Sequence, residues 1–280
     1  GLRDLDDKLG GLHKSDLIII AGRPSMGKTS LATNIAFNAA QKLQDSGKKS
    51  SIAFFSLEMS AEQLATRILS ENTEISSEKI RRGELSSNDF QKLVISSQRL
   101  ESALLFIDDT PAIPVSTLRT RARRLLRQHN LSLIIVDYLQ LMRPSPGQRT
   151  DNRVQEVSVI TQGLKAIAKE LNVPILALSQ LSRAVEQRED KRPVLADLRE
   201  SGSIEQDSDV VMFVFREEYY LMSKEPKMGT IEHGEWQSKM NEIIGQADII
   251  IGKQRHGPTG NVKVEFEGIY TKFKDASKTG

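Results

Sequence analysis

The chain has 280 residues, of which 38% are hydrophobic and 27% charged, and its formal net charge is only +2. This length allows one large α/β domain or two small ones, and this composition is typical of soluble globular proteins and excludes a disordered chain. The absence of cysteine excludes disulfides, thiolate catalysis and cysteine-based zinc sites.

No run of apolar residues is long enough to predict a transmembrane helix, and no secretory signal opens the chain. We therefore expect a cytoplasmic protein that does not contact a membrane. The small net charge neither requires nor excludes nucleic acid, so a basic surface would have to be local. The chain opens abruptly on residues 1–7, and we expect a domain excised from a longer protein.

Short apolar runs alternate with helical patterns along most of the chain. Continuous apolar runs are typical of strands buried on both faces, so the sequence predicts a mostly parallel sheet covered by helices. The predicted strands are residues 17–21, 51–56, 104–107, 133–136, 174–178 and 210–215, and the predicted helices are residues 29–43, 61–70, 117–129 and 154–171.

The C-terminal part has a different pattern. Residues 248–252 and 262–266 flank a Gly-Pro-Thr-Gly turn at 257–260, which predicts a β-hairpin. A polar segment, 221–246, carries the only tryptophan, Trp236, and predicts a short helix. Without an internal repeat or a clear linker, the simplest interpretation is one domain, in which residues 1–16 form an opening segment and residues 247–273 the hairpin region.

Residues 22–29 read Gly-Arg-Pro-Ser-Met-Gly-Lys-Thr, which is a complete phosphate-binding loop motif. The motif follows a predicted strand and opens a predicted helix, an arrangement that directs backbone N–H groups at a phosphate chain. We expect Lys28 to contact the β- and γ-phosphates and Thr29 to hold Mg²⁺ through its hydroxyl. The predicted nucleotide-binding residues are Gly22, Arg23, Pro24, Ser25, Met26, Gly27, Lys28, Thr29 and Ser30.

Acidic and amide side chains follow three other predicted strands. Asp137 ends strand 133–136, where we expect the acid associated with Mg²⁺, and Glu58 follows strand 51–56, where we expect the base that activates water. The pair Asp108–Asp109 also ends a strand and is the main rival, although it could equally form a turn or a helix cap. Gln180 could sense a γ-phosphate by hydrogen bonding, and a capped turn explains it equally well.

Six stretches together resemble a RecA-type motor core, most closely the C-terminal ATPase domain of bacterial DnaB-type replicative helicases. The resemblance extends over almost the whole chain. The phosphate loop is shared by many ATPases, whereas the last two stretches are much more specific to this family. The six stretches are residues 22–29, 55–60, 135–141, 177–183, 197–209 and 250–260.

The resemblance implies a RecA-like P-loop NTPase fold and a homo-hexameric ring that hydrolyses ATP, or another nucleoside triphosphate, with Mg²⁺. It assigns Glu58 as the catalytic glutamate, Asp137 as the Mg²⁺-linked acid and Gln180 as the γ-phosphate sensor. It also implies that Lys253 and Arg255 reach the nucleotide of the neighbouring subunit, with Arg255 as an arginine finger. Judged from the residues alone, these two side chains form a basic hairpin tip, and such tips are usually solvated.

The resemblance further implies movement along single-stranded DNA and, through the full-length protein, contacts with primase and a helicase loader. A motor that translocates should grip the phosphate backbone rather than read bases. The resemblance assigns to the central channel a glycine-containing loop with Arg199, Glu200 and Gly202. With an aromatic content of 5%, phosphate tracking is favoured over base stacking.

A second DNA-binding hypothesis concerns Arg143 and Arg149 in the polar segment 143–153, which directly follows the strand of Asp137. The alternative interpretation, a disordered surface loop, carries equal weight. The basic helix 119–127 forms the strongest basic cluster in the sequence, yet a solvated face or a subunit contact explains it better than DNA.

Two other functions remain open from sequence. The first is a RecA-type strand-exchange recombinase, which shares the phosphate loop and acids, although residues 199–209 and 252–260 favour the helicase. The second is a regulatory nucleotide switch that binds protein and no DNA. Compared with shorter relatives, segment 221–246 is expected to be an insertion, and the N-terminal domain of the family is not among these residues.

Overall fold

The computed structural model describes residues 1–147 and 152–276, and for residues 199–202 it describes the backbone only. Within these residues, nine strands form one sheet in the order β3-β2-β4-β5-β1-β6-β7-β8-β9. The strands are β1 (Leu17–Gly22), β2 (Ser51–Ser56), β3 (Leu105–Asp108), β4 (Leu131–Asp137), β5 (Ile175–Gln180), β6 (Val210–Phe215), β7 (Gln246–Gln254), β8 (Gly260–Glu267) and β9 (Lys272–Asp275).

Strands β1 to β6 pair in parallel, whereas β7, β8 and β9 add an antiparallel extension beside β6. All six strands predicted for the parallel part, and the predicted hairpin, are present with bounds shifted by a few residues. The α/β fold class with a mostly parallel sheet and a C-terminal hairpin is therefore confirmed, and β9 is an addition that the sequence did not predict.

Helices cover both faces of the sheet because adjacent residues of each strand point to opposite sides. In β1, Ile18 and Ile20 pack on the side of α2 and α3, whereas Leu17 and Ile19 pack on the side of α6 and α7. The helices are α1 (Arg3–Leu9), α2 (Lys28–Asp45), α3 (Ala61–Thr73), α4 (Ser77–Arg82), α5 (Ser87–Ser102), α6 (Val115–His129), α7 (Arg153–Leu171), α8 (Gly202–Asp207), α9 (Glu217–Met222) and α10 (Ile231–Ile243).

Several helices differ from the sequence-based expectation. Segment 221–246 contains the end of α9 and all of α10 rather than one short helix, and the Trp236 indole N–H ties the two by donating to the Leu221 carbonyl at 2.8 Å. The predicted glycine-containing loop around Gly202 is helical: a 3₁₀ turn over Leu195–Ser201 leads directly into α8. In the described part of the chain, no helix combines the length and apolarity needed to span a membrane.

One buried carboxylate predicts how stability depends on pH. Glu71 of α3 is 6% exposed, and burial raises the pKa of its carboxyl from 4.5 to about 7, although Asn34 of α2 and Lys272 of β9 oppose the shift. Because the folded state keeps this proton longer than the unfolded state, the stabilising contribution is complete below about pH 4.5 and is lost as the pH rises through 7.

We therefore expect Glu71→Gln to increase the free energy of unfolding at pH 8 by up to about 3 kcal/mol, and to change it little near pH 4.5. Urea unfolding at the two pH values measures this difference. Glu101→Gln, a change at an exposed carboxylate of α5, is the matched control and should give no pH-dependent difference. An equal effect of Glu71→Gln at both pH values would contradict the prediction.

Candidate active site

A cleft of about 740 Å³ lies at the carboxyl edge of the parallel strands. Ligands of open α/β sheets bind at this edge because the loops that leave neighbouring strands converge there. The cleft brings together Lys28, Thr29, Glu58, Asp137 and Gln180, which were singled out from four separate sequence segments. The remaining lining residues are Pro24, Ser25, Gly27, Ser30, Met59, Gln63, Arg67, Tyr138, Arg216, Phe266, Gly268 and Thr271.

The phosphate loop connects β1 to α2 and is held by its own backbone. The Lys28 ammonium donates to the carbonyls of Gly22 at 2.8 Å and Arg23 at 3.0 Å. Ser25 and Gly27 have positive φ values of 65° and 97°, which turns the chain sharply before the helix. Burial lowers the pKa of Lys28 to about 8, against the charges of Asp137 and Glu58, so an anion placed beside this ammonium would be stabilised.

Gly27 is also required by a close contact. A Cβ at this position would lie 2.9 Å from a ring carbon of Phe273 in β9, nearer than carbon atoms normally approach. The Phe273 N–H in turn donates to Asn34 Oδ1 at 2.7 Å. The C-terminal strand therefore supports the phosphate loop and the first turns of α2.

Thr29 and Asp137 form a side-chain pair in the cleft that suits a divalent cation. The Thr29 hydroxyl donates to Asp137 Oδ2 at 2.7 Å. Asp137 is 2% exposed, and burial raises the pKa of its carboxyl while the Thr29 hydrogen bond opposes that shift. This pair suits Mg²⁺, because the ion commonly uses one or two carboxylates together with waters and substrate phosphates. In residues 1–147 and 152–276, no group of three or more His, Asp or Glu ligands occurs.

Glu58 lies on a turn that is fixed to Asp137. The Leu57 N–H donates to the Asp137 carbonyl at 2.7 Å, and the Ser56 hydroxyl donates to the Met59 carbonyl at 2.6 Å. Immediately after the turn, a capping box between Ser60 and Gln63 begins α3. Glu58 itself is exposed in the cleft.

The rival acids do not line the cleft. Asp108 pairs with Arg121 and accepts the Thr110 N–H at 3.1 Å, and these bonds hold the pKa of its carboxyl below the usual value although burial opposes them. Asp109 accepts the Ala61 N–H at 2.9 Å and so caps α3. Both carboxylates are therefore engaged by bonds within the fold, Asp108 by Arg121 and Asp109 by the start of α3.

Two predicted nucleotide-binding side chains point away from the cleft. Arg23 is 9% exposed and donates to Glu186 Oε1 at 2.8 Å and to the Leu181 carbonyl at 2.9 Å. Met26 is 1% exposed and belongs to the apolar core. Both residues thus shape the loop. Gly22 does not line the cavity either, whereas the remaining predicted residues do: Pro24, Ser25, Gly27, Lys28, Thr29 and Ser30.

Sequence reasoning missed several cleft residues, of which two are basic. Arg216 directly follows β6, so the strand-end signal that identified Asp137 could have found it. Its guanidinium donates to the Ser25 carbonyl at 3.1 Å, pairs with Glu218 and lies 4.2 Å from the ring centre of Phe266. Arg67 lies in the middle of α3, where no local pattern marks it.

The basic residues of the hairpin lie at the opposite edge of the sheet. The Lys253 ammonium donates to the carbonyls of Glu205 and, at 2.7 Å, Ser208. The Arg255 guanidinium lies 3.1 Å from Asp209 Oδ1. Asp209 also accepts the N–H of Leu17 at 2.8 Å, which places Arg255 beside the amino end of β1, whereas the phosphate loop leaves its carboxyl end.

The predicted DNA-binding residues are described only in part. Arg143 is exposed, and its backbone pairs with the segment before α6 through Ile113 and Val115 at 3.2 Å. Arg149 lies outside the described residues. For Arg199, Glu200 and Gly202 the backbone is helical, as given above.

Comparisons with known proteins identify the relatives of this chain. Residues 1–275 match the family model described as DnaB-like helicase C terminal domain. The replicative DNA helicase DnaB of Rickettsia prowazekii (strain Madrid E) is 55% identical over 283 residues, which cover 99% of this chain and 58% of the relative. The replicative DNA helicase DnaB of Geobacillus stearothermophilus is 47% identical, with 98% and 55% covered. The chain thus spans somewhat over half the length of these relatives.

Solved structures give the same assignment. A structure of a DnaB-like replicative helicase and its interactions with primase superimposes with a TM-score of 0.84 at 33% identity, covering 99% of this chain and 61% of that one. A second solved structure, of an ATPase domain, gives a TM-score of 0.83 at 33% identity, with 99% and 90% covered. The RadB recombinase, with a TM-score of 0.54 at 17% identity, shares the fold alone.

Arg67 generates a prediction about nucleotide binding. It lines the cleft, and burial lowers the pKa of its guanidinium while Asp137 and Glu58 oppose that shift. A nucleotide phosphate would satisfy this poorly solvated cation. We expect Arg67→Gln to weaken binding of a fluorescent ATP analogue about tenfold or more, because hydrogen bonds to charged groups contribute roughly 1.5–3 kcal/mol.

The matched control is Arg81→Gln, which removes an exposed arginine of α4 and should leave nucleotide affinity unchanged. Wild-type affinity in both variants would mean that Arg67 does not contact the nucleotide.

Proposed function

The chain belongs to the family of DnaB-like helicase C-terminal domains, and from this membership and the cleft we propose that it is the ATP-hydrolysing motor of a replicative DNA helicase. The observation that carries the proposal is the convergence of Lys28, Thr29, Glu58, Asp137 and Gln180 in one cleft. These residues supply a phosphate-binding ammonium, a metal-binding pair, a carboxylate base and an amide that detects the γ-phosphate. No other function considered above uses all five together with the late basic hairpin.

In this proposal each side chain has one task. Lys28 and the N–H groups at the start of α2 bind the β- and γ-phosphates. Glu58, exposed in the cleft, accepts the proton of the attacking water, and Gln180 hydrogen-bonds the γ-phosphate until it is lost. Arg67 and Arg216, which also line the cleft, add positive charge beside the phosphates.

Thr29 and Asp137 are the residues that would hold Mg²⁺. When bound, the ion would supply positive charge that neutralises the phosphates of the nucleotide. The Thr29 hydroxyl would turn its lone pairs to the ion. It would thereby release the hydrogen bond that it donates to Asp137 Oδ2. Asp137 would then hold the ion, in part through water.

We infer that Arg255 acts on the nucleotide of a neighbouring subunit in a ring. Its partner Asp209 lies beside Leu17. Leu17 and Gly22, the first residue of the phosphate loop, are the two ends of β1, and five steps of 3.3 Å place them about 17 Å apart. Arg255 therefore cannot reach its own cleft without refolding of β7. Its side chain is 48% exposed, so donors remain for a phosphate presented by another copy.

The homo-hexamer, the movement along single-stranded DNA and the contacts with primase and loader belong to this proposal, as does a cytoplasmic location. Arg143 and Arg149, together with the segment of Arg199, Glu200 and Gly202, are the proposed DNA contacts. Binding through phosphates implies affinity that falls steeply with salt. We also infer a single domain, since the nine strands of the described residues join one sheet.

The experiment that tests the proposed function is ATP-dependent unwinding of a forked DNA duplex. We expect the wild-type chain to hydrolyse ATP faster with single-stranded DNA and to separate the strands. Lys28→Ala should do neither, because it lacks the ammonium that contacts the phosphates. Glu58→Gln should bind nucleotide normally and fail to turn it over. Hydrolysis that single-stranded DNA does not change, without strand separation, would contradict the proposal.

The arginine finger predicts complementation between two inactive variants. Arg255→Ala subunits keep a complete cleft, and Lys28→Ala subunits keep the finger, so a mixed interface can contain both working parts. We expect ATP hydrolysis to appear when the two inactive variants are mixed, with a maximum at intermediate ratios. Lys263→Ala, on the exposed face of β8, should behave as wild type. The absence of rescue at every ratio would exclude a finger that acts between subunits.

A further inference from the structure

Gln140 lies outside the cleft but clamps the strand end that carries the predicted phosphate sensor. It belongs to a 3₁₀ turn, Leu139–Leu141, that follows β4. Its side-chain amide donates to Ser179 Oγ at 2.9 Å and to the Gln180 carbonyl at 3.2 Å. Its side-chain carbonyl accepts the Gln180 N–H at 3.3 Å. Gln140 therefore bonds both the N–H and the carbonyl of Gln180, while the Gln180 side chain lines the cleft.

The backbone of the same glutamine is tied to α7. The guanidinium of Arg153, the first residue of α7, donates to the Gln140 carbonyl and also pairs with Glu156 at 2.8 Å. A displacement of the Gln180 strand end would thus pass through Gln140 to the N-terminus of α7. No other side-chain bond joins the 3₁₀ turn to α7 among the bonds of the described residues.

Two further bonds connect α7 to α8. The Ser158 hydroxyl donates to Ser203 Oγ at 2.8 Å, and the Thr161 hydroxyl donates to Asp207 Oδ2 at 2.8 Å. Helix α8 directly continues the segment proposed to contact DNA. Polar contacts therefore run from Gln180 through Gln140, Arg153 and α7 to the proposed DNA-binding segment.

We propose that Gln140 is a positioning residue that couples the presence of the γ-phosphate at Gln180 to the DNA affinity of α8 through Arg153 and α7. This inference rests on the proposed function, because it requires both ATP and single-stranded DNA as ligands. Two hydrogen bonds from one side-chain amide to the N–H and the carbonyl of Gln180 suit this task, because a displacement of this strand end must move the Gln140 side chain with it. The coupling is reciprocal, so DNA also shifts the affinity for nucleotide.

The test measures binding of a fluorescent oligothymidylate with a non-hydrolysable ATP analogue or with ADP, both with Mg²⁺. We expect the wild-type affinities in the two states to differ by roughly 5- to 150-fold, the usual range of allosteric coupling, and those of Gln140→Met by less than about 2-fold. Methionine keeps the length of the side chain and removes its hydrogen bonds. Nucleotide affinity and thermal stability should stay at wild-type values.

Arg153→Gln and Gln128→Met complete the design. Arg153→Gln removes the hydrogen bond from Arg153 to the Gln140 carbonyl and should abolish the coupling as Gln140→Met does. The double variant should lose no more than either single variant, because the two contacts act in series. Gln128→Met, at an exposed glutamine of α6, should keep the wild-type difference.

Each contrary outcome has a distinct meaning. Full coupling in Gln140→Met or in Arg153→Gln overturns the inference and leaves the proposed function intact. If Gln140→Met loses nucleotide affinity or thermal stability together with the coupling, Gln140 has a merely structural role, and the inference is also overturned. A wild type that binds DNA equally in both states lacks the coupling altogether, whereas a wild type that binds no DNA overturns the proposed function as well.

Discussion

The register of the parallel strands is the constraint on which the cleft depends. Gly22 pairs with Gln180 across β1 and β5, and Ser56 pairs with Asp137 across β2 and β4. Four strands therefore end at nearly the same level, and their loops present different chemical groups to one space. A shift of one strand by one residue would reverse the faces of its side chains, removing its apolar residues from the core. The arrangement proposed for catalysis and the packing of the core are thus specified together.

The edge of the sheet opposite the cleft, where β1 begins, is stabilised by the buried carboxylate of Asp209. Asp209 is 3% exposed at its side chain, and it pairs with Lys165 of α7 and with Arg255, which directly follows β7. It also accepts the N–H of Leu17. A carboxylate at this depth is tolerated only when its partners are complete, and removal of one partner leaves an uncompensated charge. Helix α7 consequently makes polar contacts near both edges of the sheet. Arg153 bonds Gln140 near the proposed sensor, and Lys165 pairs with Asp209 near the proposed finger.

Much of the fold and part of the cleft follow from local sequence patterns. The parallel strands are continuous apolar runs, and a phosphate loop or an acid at the end of such a run must lie at the carboxyl edge. Helix α5 was not predicted, because it is mostly exposed and buries only Leu93 and Ser96. Arg67 was missed since its place in the cleft depends on how α3 packs, which no short motif encodes. The helical form of the segment around Gly202 was missed because glycine and serine favour a loop when judged locally.

The support that Phe273 gives to the phosphate loop has a consequence for biosynthesis. Gly27 packs against this ring, and the Phe273 N–H bonds Asn34 in the second turn of α2. The loop is translated early, whereas the strand that supports it comes much later in the sequence. Since domains generally fold as units during synthesis, the nascent chain acquires a firmly held phosphate loop only after β9 has been made. A nascent chain that stops before β9 would therefore have the complete loop motif without the contacts that hold it in shape.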